Sequence, residues 1–341
     1  MDPLSQAVTG SLLAQWVARR EELRIAAVVG ALAGMAPDLD VFIRSSEDPL
    51  LQVEFHRHFT HALAFIPIGA LLCALIGYPF FRRWIGFGRL YLFCFLGFLQ
   101  GGLLDACTSY GTRLLWPFVE MRVAWSNIAI IDPLYTIPAL VFVILAASRR
   151  RRLLAGIGCG WIMFYLLLGV LQRERAEAAG RELADSRQLK SIRIEAKPSI
   201  FNNFLFRVVT ETEDRLFVDA IRVGWFSPPI IYPGDSVPHP SDAALFAGVP
   251  EGSRLRKDIE RFAFFADDWV YFVNDNPAVL GDFRYALLPN SAETLWTLQI
   301  DRANPERHGQ FETRRALSDS VWIRFGRMLQ GKDLPSEQNS K

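Results

Sequence analysis

Four apolar runs in the first half of the chain constrain its architecture more than any other feature: Ala62 to Phe81, Leu90 to Leu104, Ile128 to Ala147 and Leu153 to Leu171. Arginines bracket them, with Arg82 and Arg83 closing the first, Arg89 opening the second, and Arg149 to Arg152 separating the third from the fourth. A run of about 20 apolar residues crosses a bilayer as a helix, because the hydrocarbon offers no partner for an unpaired backbone group. Two shorter runs precede them, Leu4 to Ala18 and Ile25 to Ala36, and could be tilted or shielded by neighbours. In the second, Gly30, Ala31, Ala33 and Gly34 permit close helix packing. The expected fold class is an α-helical polytopic membrane domain of about six helices, two of them short, followed by an α+β domain outside the bilayer.

Hydrophobic residues make up 51% of the 341 residues, and the excess lies before about Val170. A formal net charge of +1 gives no basic face for nucleic acid. The 4 cysteines lie in or beside apolar segments without CxxC spacing, so neither a zinc finger nor a disulfide framework is indicated. The opening Asp2-Pro3 lacks the basic region of a cleavable signal peptide.

Arginine counts orient the runs. The positive-inside rule puts Arg19, Arg20 and Arg24, then Arg82, Arg83 and Arg89, then Arg149 to Arg152, in the cytoplasm. On this reading the clusters are topology determinants, not anion sites. The same alternation places Pro37 to Asp40, His56 to His61, Asp105 and Asp132 together on the extracytoplasmic side, with the segment after Leu171.

Residues 173–190 read as a polar helical linker. From Ser191 the period becomes two: Ile192, Ile194 and Ala196 alternate, and Phe204 to Val209 and Leu216 to Val223 flank a polar Thr210 to Asp214 turn as a hairpin. A helix is expected over Ser253 to Ala266, strands at Tyr271 to Val273, Phe283 to Leu288 and Leu295 to Ile300, and a last helix over Val321 to Leu329. The domains are therefore 1–172, the linker, an α+β soluble domain over 191–331, and a disordered tail over 332–341.

Three of the 5 histidines fall in His56-Arg57-His58-Phe59-Thr60-His61, at the mouth of the apolar run from Ala62. Imidazole and carboxylate groups gathered from separate segments are metal ligands. The candidates are His56, His58, His61, Asp38, Asp40 and Asp105. His58 and His61 would share a face if helical, with a bend before them for His56; Thr60 could cap that helix or bond a ligand. Such a cluster could equally be a polar interfacial cap, and Pro37-Asp38-Leu39-Asp40 a turn. Asp105, at the end of an apolar run, is more telling, because ionisable groups near a membrane core are costly and paired. Asp132 before Pro133 reads as a helix cap, and His239 and His308 as isolated surface residues.

With these residues in hand the chain resembles the bacterial membrane-bound metal-dependent hydrolases, the LexA-regulated inner-membrane hydrolase family. The likeness runs through Asp2-Pro3-Leu4-Ser5-Gln6, Pro37 to Asp40, His56 to His61, Leu104-Asp105, Ser109-Tyr110-Gly111, Leu115 to Phe118 and Ile131-Asp132-Pro133, roughly the first half of the chain. That family is distantly like zinc-dependent phospholipase C. The resemblance implies a divalent metal, zinc or manganese, held by Asp38, His56, His61 and Asp105, with Asp40 as catalytic base or as orienter of a histidine. Gln6 stands where many relatives have histidine, and His58 where relatives often have glycine. Gly101 stands where relatives usually have a histidine one turn before Asp105, which removes a ligand. The implied activity is hydrolysis of an ester or phosphoester of a lipid-like or envelope substrate at the bacterial inner membrane, with no nucleic acid involved. The alternative is a membrane-anchored binding or scaffold protein with a vestigial site. A transporter is a weaker reading, since no inverted repeat is evident.

Overall fold

A computed structural model of the chain describes residues 1–314 and 318–334. The expected disordered tail lies outside the described residues from 335 onward. Two compact units result: residues 1–43, 55–171 and 200–203 form the first, and 44–54, 172–199 and the described residues from 204 onward the second.

The first unit is helical: α1 (Pro3–Val17), α2 (Leu23–Met35) continued by a 3-10 segment (Ala36–Phe42), 3-10 turns at Phe59–His61 and Leu63–Phe65, α4 (Ile66–Phe81), α5 (Phe87–Ala106), α6 (Pro133–Arg149) and the start of α7 (Arg152–Ser186), while α3 (Leu51–Phe55) belongs, but for Phe55, to the second unit. Local chemistry sets the starts. Asp2 caps α1 by accepting the Ser5 N–H at 3.1 Å, with Pro3 in the first turn. Asp132 caps α6 as expected, accepting Leu134 N–H at 3.1 Å and the Tyr165 hydroxyl at 2.7 Å.

Among the described residues, four helical stretches are long and apolar enough to cross a membrane: Leu23–Phe42, Leu63–Phe81, Phe87–Ala106 and Arg152–Ser186. This differs in detail from the sequence. The run at Ile25 gains length because the 3-10 segment extends α2, whereas the run from Ile128 begins as helix only at the Asp132 cap, leaving 17 residues in α6. Large apolar side chains such as Ile76, Phe80 and Leu153 are exposed, an arrangement that hydrocarbon tolerates and water does not. Inside, Leu23, Phe93 and Phe98 centre one apolar cluster, and Leu12, Ile128, Tyr135 and Tyr165 another.

The second unit is built on two antiparallel sheets. Strands β1 (Arg193–Pro198), β2 (Leu205–Glu211), β3 (Arg215–Arg222) and β4 (Ile230–Tyr232) lie in order, and β5 (Ser236–Pro238) also pairs with β3. After α8 (Asp242–Leu245) and α9 (Arg254–Phe265), strands β6 (Val270–Phe272), β7 (Val279–Asp282), β8 (Trp296–Gln299) and β9 (Gln310–Thr313) form the other sheet, and α10 (Asp319–Gln330) follows. The β2–β3 hairpin turns where expected, with the Thr212 hydroxyl accepting the Arg215 N–H at 3.1 Å. The strand expected over Phe283 to Leu288 falls instead at Val279–Asp282. There Asp282 accepts the Arg284 N–H at 2.9 Å and turns the chain out of the ladder. The α9 face of Leu255, Ile259 and Phe262 is buried, at helical spacing.

Candidate metal centre

Three chain segments of the first unit converge. The 3-10 segment after α2 supplies Asp38 and Asp40, the turn at Phe59–His61 supplies His61, and the last turn of α5 supplies Asp105. The His61 ring is fully enclosed among carboxylates. Its Nε2 lies 3.2 Å from Asp38 Oδ1 and 3.1 Å from Asp105 Oδ2, and its Nδ1 lies 3.2 Å from Asp40 Oδ2. Asp38, His61 and Asp105 each offer one donor atom within 4.8 Å of the others.

Asp40 stands behind this group. Its Oδ1 is 2.8 Å from His56 Nδ1, and its Oδ2 accepts the Arg57 backbone N–H at 2.9 Å and the Thr60 hydroxyl at 2.7 Å. The carboxylate thus orients two histidines, as expected of a residue behind a metal. His56 contacts Asp40 rather than the three-donor group, with its ring centroid 6.3 Å from that of His61 and its side chain 25% exposed. His58 points elsewhere: its Nε2 is 2.8 Å from Arg113 and its ring stacks on Phe55 and near Trp116. Gln6 does join, donating Nε2–H to Asp105 Oδ1 at 3.2 Å. The shared helical face of His58 and His61 does not form, because a three-residue turn separates their directions.

Arg57, which the sequence did not single out, separates His56 from His58. Its backbone is left-handed (φ 64°), uncommon for a residue with a Cβ, so the flanking histidines face different surroundings. Its guanidinium Nε lies 3.1 Å from Asp105 Oδ2 and another nitrogen donates to the Thr108 hydroxyl at 2.8 Å, with Tyr110 beneath. The Met1 amino group also contacts Asp105. An arginine between two histidines was the available signal, since a buried acid needs a counter-charge.

Two glycines of α5 bear on the site. A Cβ at Gly102 would stand 2.1 Å from the His61 carbonyl oxygen, so this position must lack one for His61 to approach. At Gly101 a Cβ would stand 2.9 Å from Pro37 Cγ: the proline ring fills the space beside the position where the resemblance places a further histidine.

Burial opposes a charge on His61, but its bonds to Asp105, Asp38 and Asp40 push its pKa up to about 10. Without a metal the ring is an imidazolium whose Nε2–H faces two acceptors. The donors also fit a divalent ion. Bonds of about 2.0–2.2 Å in a tetrahedron put neighbouring donors roughly 3.3–3.6 Å apart, close to the separations at Nε2. Gln6 Oε1, fully buried beside the group, has no hydrogen-bond partner and is a further oxygen donor.

In the second unit Asp48, Asp258 and His308 also offer three close donor atoms. His308, read as an isolated surface residue, instead bonds Asp258 at 2.9 Å. His239, read likewise, is only partly exposed, with Nε2 3.2 Å from the Asp268 carbonyl.

The apolar helical bundle defines a membrane protein, and in this chain Asp38, His61 and Asp105 are placed so that they could hold a metal ion. The chain belongs to the YdjM inner membrane protein family, which matches residues 1–176. It is also similar to "Inner membrane protein YbcI" of Escherichia coli (strain K12), 37% identical over 97 residues, 27% of this chain and 54% of the relative. The chain thus spans about half the length of this curated relative. No solved structure matches it. Family and apolar helices together support a bacterial inner-membrane protein associated with the lipid bilayer.

Proposed function

We propose that this chain is a membrane-bound metal-dependent hydrolase acting on an ester or phosphoester of a lipid-like or envelope substrate. The observation that carries the reading is the convergence of Asp38 Oδ1, His61 Nε2 and Asp105 Oδ2 from three segments, with Asp40 bonded to the far nitrogen of His61. Asp38, His61 and Asp105 would hold the ion, zinc or manganese, with Gln6 Oε1 as a further donor. A divalent ion bound there supplies Lewis acidity and an acidified water. Asp40 fixes the tautomer of His61. His56, on the same carboxylate and partly exposed, is the group placed to carry protons between Asp40 and solvent. Asp38 is itself 18% exposed. The arginine distribution supports an extracytoplasmic site and an extracytoplasmic second unit.

A second reading has its own observation. Arg57 already neutralises Asp105, the Met1 amino group contacts it as well, and Pro37 closes the space at Gly101. Under that reading the cluster is structural and the protein is a membrane-anchored binding protein. Metal analysis of detergent-purified protein separates the two. About one equivalent of zinc or manganese, lost in His61→Ala, supports the hydrolase; below about 0.1 equivalent in the wild type sinks it. A reporter fused after Gln172 tests the orientation, and cytoplasmic activity there would reverse it.

A further inference from the structure

We propose that the first unit carries a headgroup site for an anionic phospholipid, built from two arginine clusters 130 residues apart in sequence, at the opposite end of α1 from the carboxylates. Arg19, Arg20, Arg150, Arg151, Arg152 and Leu153 line one cavity of about 410 Å³. Read from sequence, these arginines only orient the helices; an orienting charge can sit anywhere on its own loop. Here the α1–α2 connection and the α6–α7 connection bring theirs to the same space.

The local structure concentrates the charge further. α6 ends at Arg149 and α7 begins at Arg152, so only Arg150 and Arg151 join them. Arg150 closes α6 in the left-handed conformation (φ 51°, ψ 44°), where glycine is the ordinary choice. Among the described residues no carboxylate stands within 4.0 Å of any of the five guanidiniums; Glu22, the nearest acid in sequence to Arg19, is held by Arg89. Five cations gathered without a paired acid call for an anion of more than one charge. Guanidinium forks suit phosphate oxygens.

The surroundings argue for a lipid as the source of that phosphate. Beside the cavity, α1 and α7 expose Trp16 (55%), Leu153 (72%) and Ile157 (47%). A Cβ at Gly156 would stand 3.4 Å from Trp16 Nε1, so the indole lies against the first turns of α7. An apolar strip with an indole thus runs from the basic cavity onto the surface suited to hydrocarbon, as acyl chains need and a free phosphate does not. The five charges favour a headgroup with two phosphates over one with a single phosphate.

The test is native mass spectrometry and lipid exchange on the full chain in phosphatidylcholine nanodiscs doped with diphosphatidylglycerol or with phosphatidylglycerol. The expected result is retained diphosphatidylglycerol, with affinity falling about tenfold in Arg19→Gln/Arg20→Gln and equally in Arg150→Gln/Arg152→Gln. Arg82→Gln/Arg83→Gln, on another connection, should leave it unchanged. An equal loss in that control would reduce the effect to diffuse surface charge and overturn the site. Full displacement of the lipid by millimolar pyrophosphate would overturn the lipid assignment. Because removing arginines can reverse a membrane protein, Arg150→Lys/Arg152→Lys keeps the orienting charge. Its expected result is a several-fold loss of retention with unchanged reporter topology; unchanged retention would show that no guanidinium site exists.

Discussion

Two clusters in this protein have the same composition, one histidine and two aspartates with donor atoms within 4.8 Å, and differ in everything that decides function. In the second unit, Arg261 sits among the acids. It bonds Asp48 at 3.1 and 3.0 Å, Asp258 at 3.1 Å and Glu54 at 2.9 Å, and Asp258 also accepts the Gly309 N–H at 3.0 Å. That cluster carries its own cation, and its histidine is 25% exposed. In the first unit His61 is enclosed, its Nε2 faces two carboxylates, and a third carboxylate holds its other nitrogen. The lesson is that donor count does not separate a metal centre from an ion-pair network. What separates them is how many of the acids a side-chain cation already holds: Arg261 bonds every acid of the second cluster, whereas in the first Arg57 holds Asp105 and leaves Asp38 and Asp40 to the histidines.

The largest effect expected from this contrast is loss of metal. His61→Ala should abolish binding to the purified protein, whereas His308→Ala should leave stoichiometry unchanged; equal losses by elemental analysis would erase the distinction. Next comes Asp40→Asn, which should weaken metal affinity by about 10–100-fold without removing a ligand, measured by competition with a fluorescent chelator. No change would mean that Asp40 does not orient His61. Gly102→Ala should cost about 1–3 kcal/mol of thermal stability through the contact with the His61 carbonyl, despite alanine's better helix propensity. A neutral result would show that the turn carrying His61 yields.

The smallest effects are opposite pH windows. In metal-free protein the raised pKa of His61 adds stability that is complete below the ordinary 6.5 and is lost as pH climbs toward about 10. Burial opposes the charge on Asp48, but its bond to Arg261 lowers its pKa, so its contribution holds above the ordinary 3.8 and fades as pH falls below that value. Melting temperatures from pH 4 to 10 should show the alkaline slope vanish in His61→Gln and persist in Asp48→Asn. An alkaline slope that survives His61→Gln would assign it to another group.

Much of the first unit was legible because few structures satisfy a bilayer. Helix existence followed from apolar length, and Asp132 as a cap from the proline after it. Asp105 was legible as an ionisable residue in a costly place and His61 as one of a histidine cluster, whereas Asp38 read as part of a turn and was marked as a ligand only by the resemblance. Their partners were not. Which histidine meets Asp38 depends on the left-handed residue between His56 and His58, and the need for a bare α carbon at Gly102 depends on a contact with a segment 41 residues earlier in sequence. In the second unit, alternation located the β2–β3 hairpin but misplaced the strand before Asp282, where a side-chain-to-backbone bond, invisible to periodicity, ends the ladder. His308 looked solitary because its partner is 50 residues away.

Arg57 does two separable things with two parts of itself: its main chain makes the left-handed turn, and its guanidinium neutralises Asp105. Glycine takes that backbone conformation without strain. Shape and charge at this turn are therefore independent variables. A chain that exchanged the arginine for glycine would keep both histidines in place and free a carboxylate, becoming hungrier for an ion. One that installed a β-branched residue would lose the cation and strain the turn as well. A single codon is enough to move this fold between a self-neutralised cluster and a receptacle.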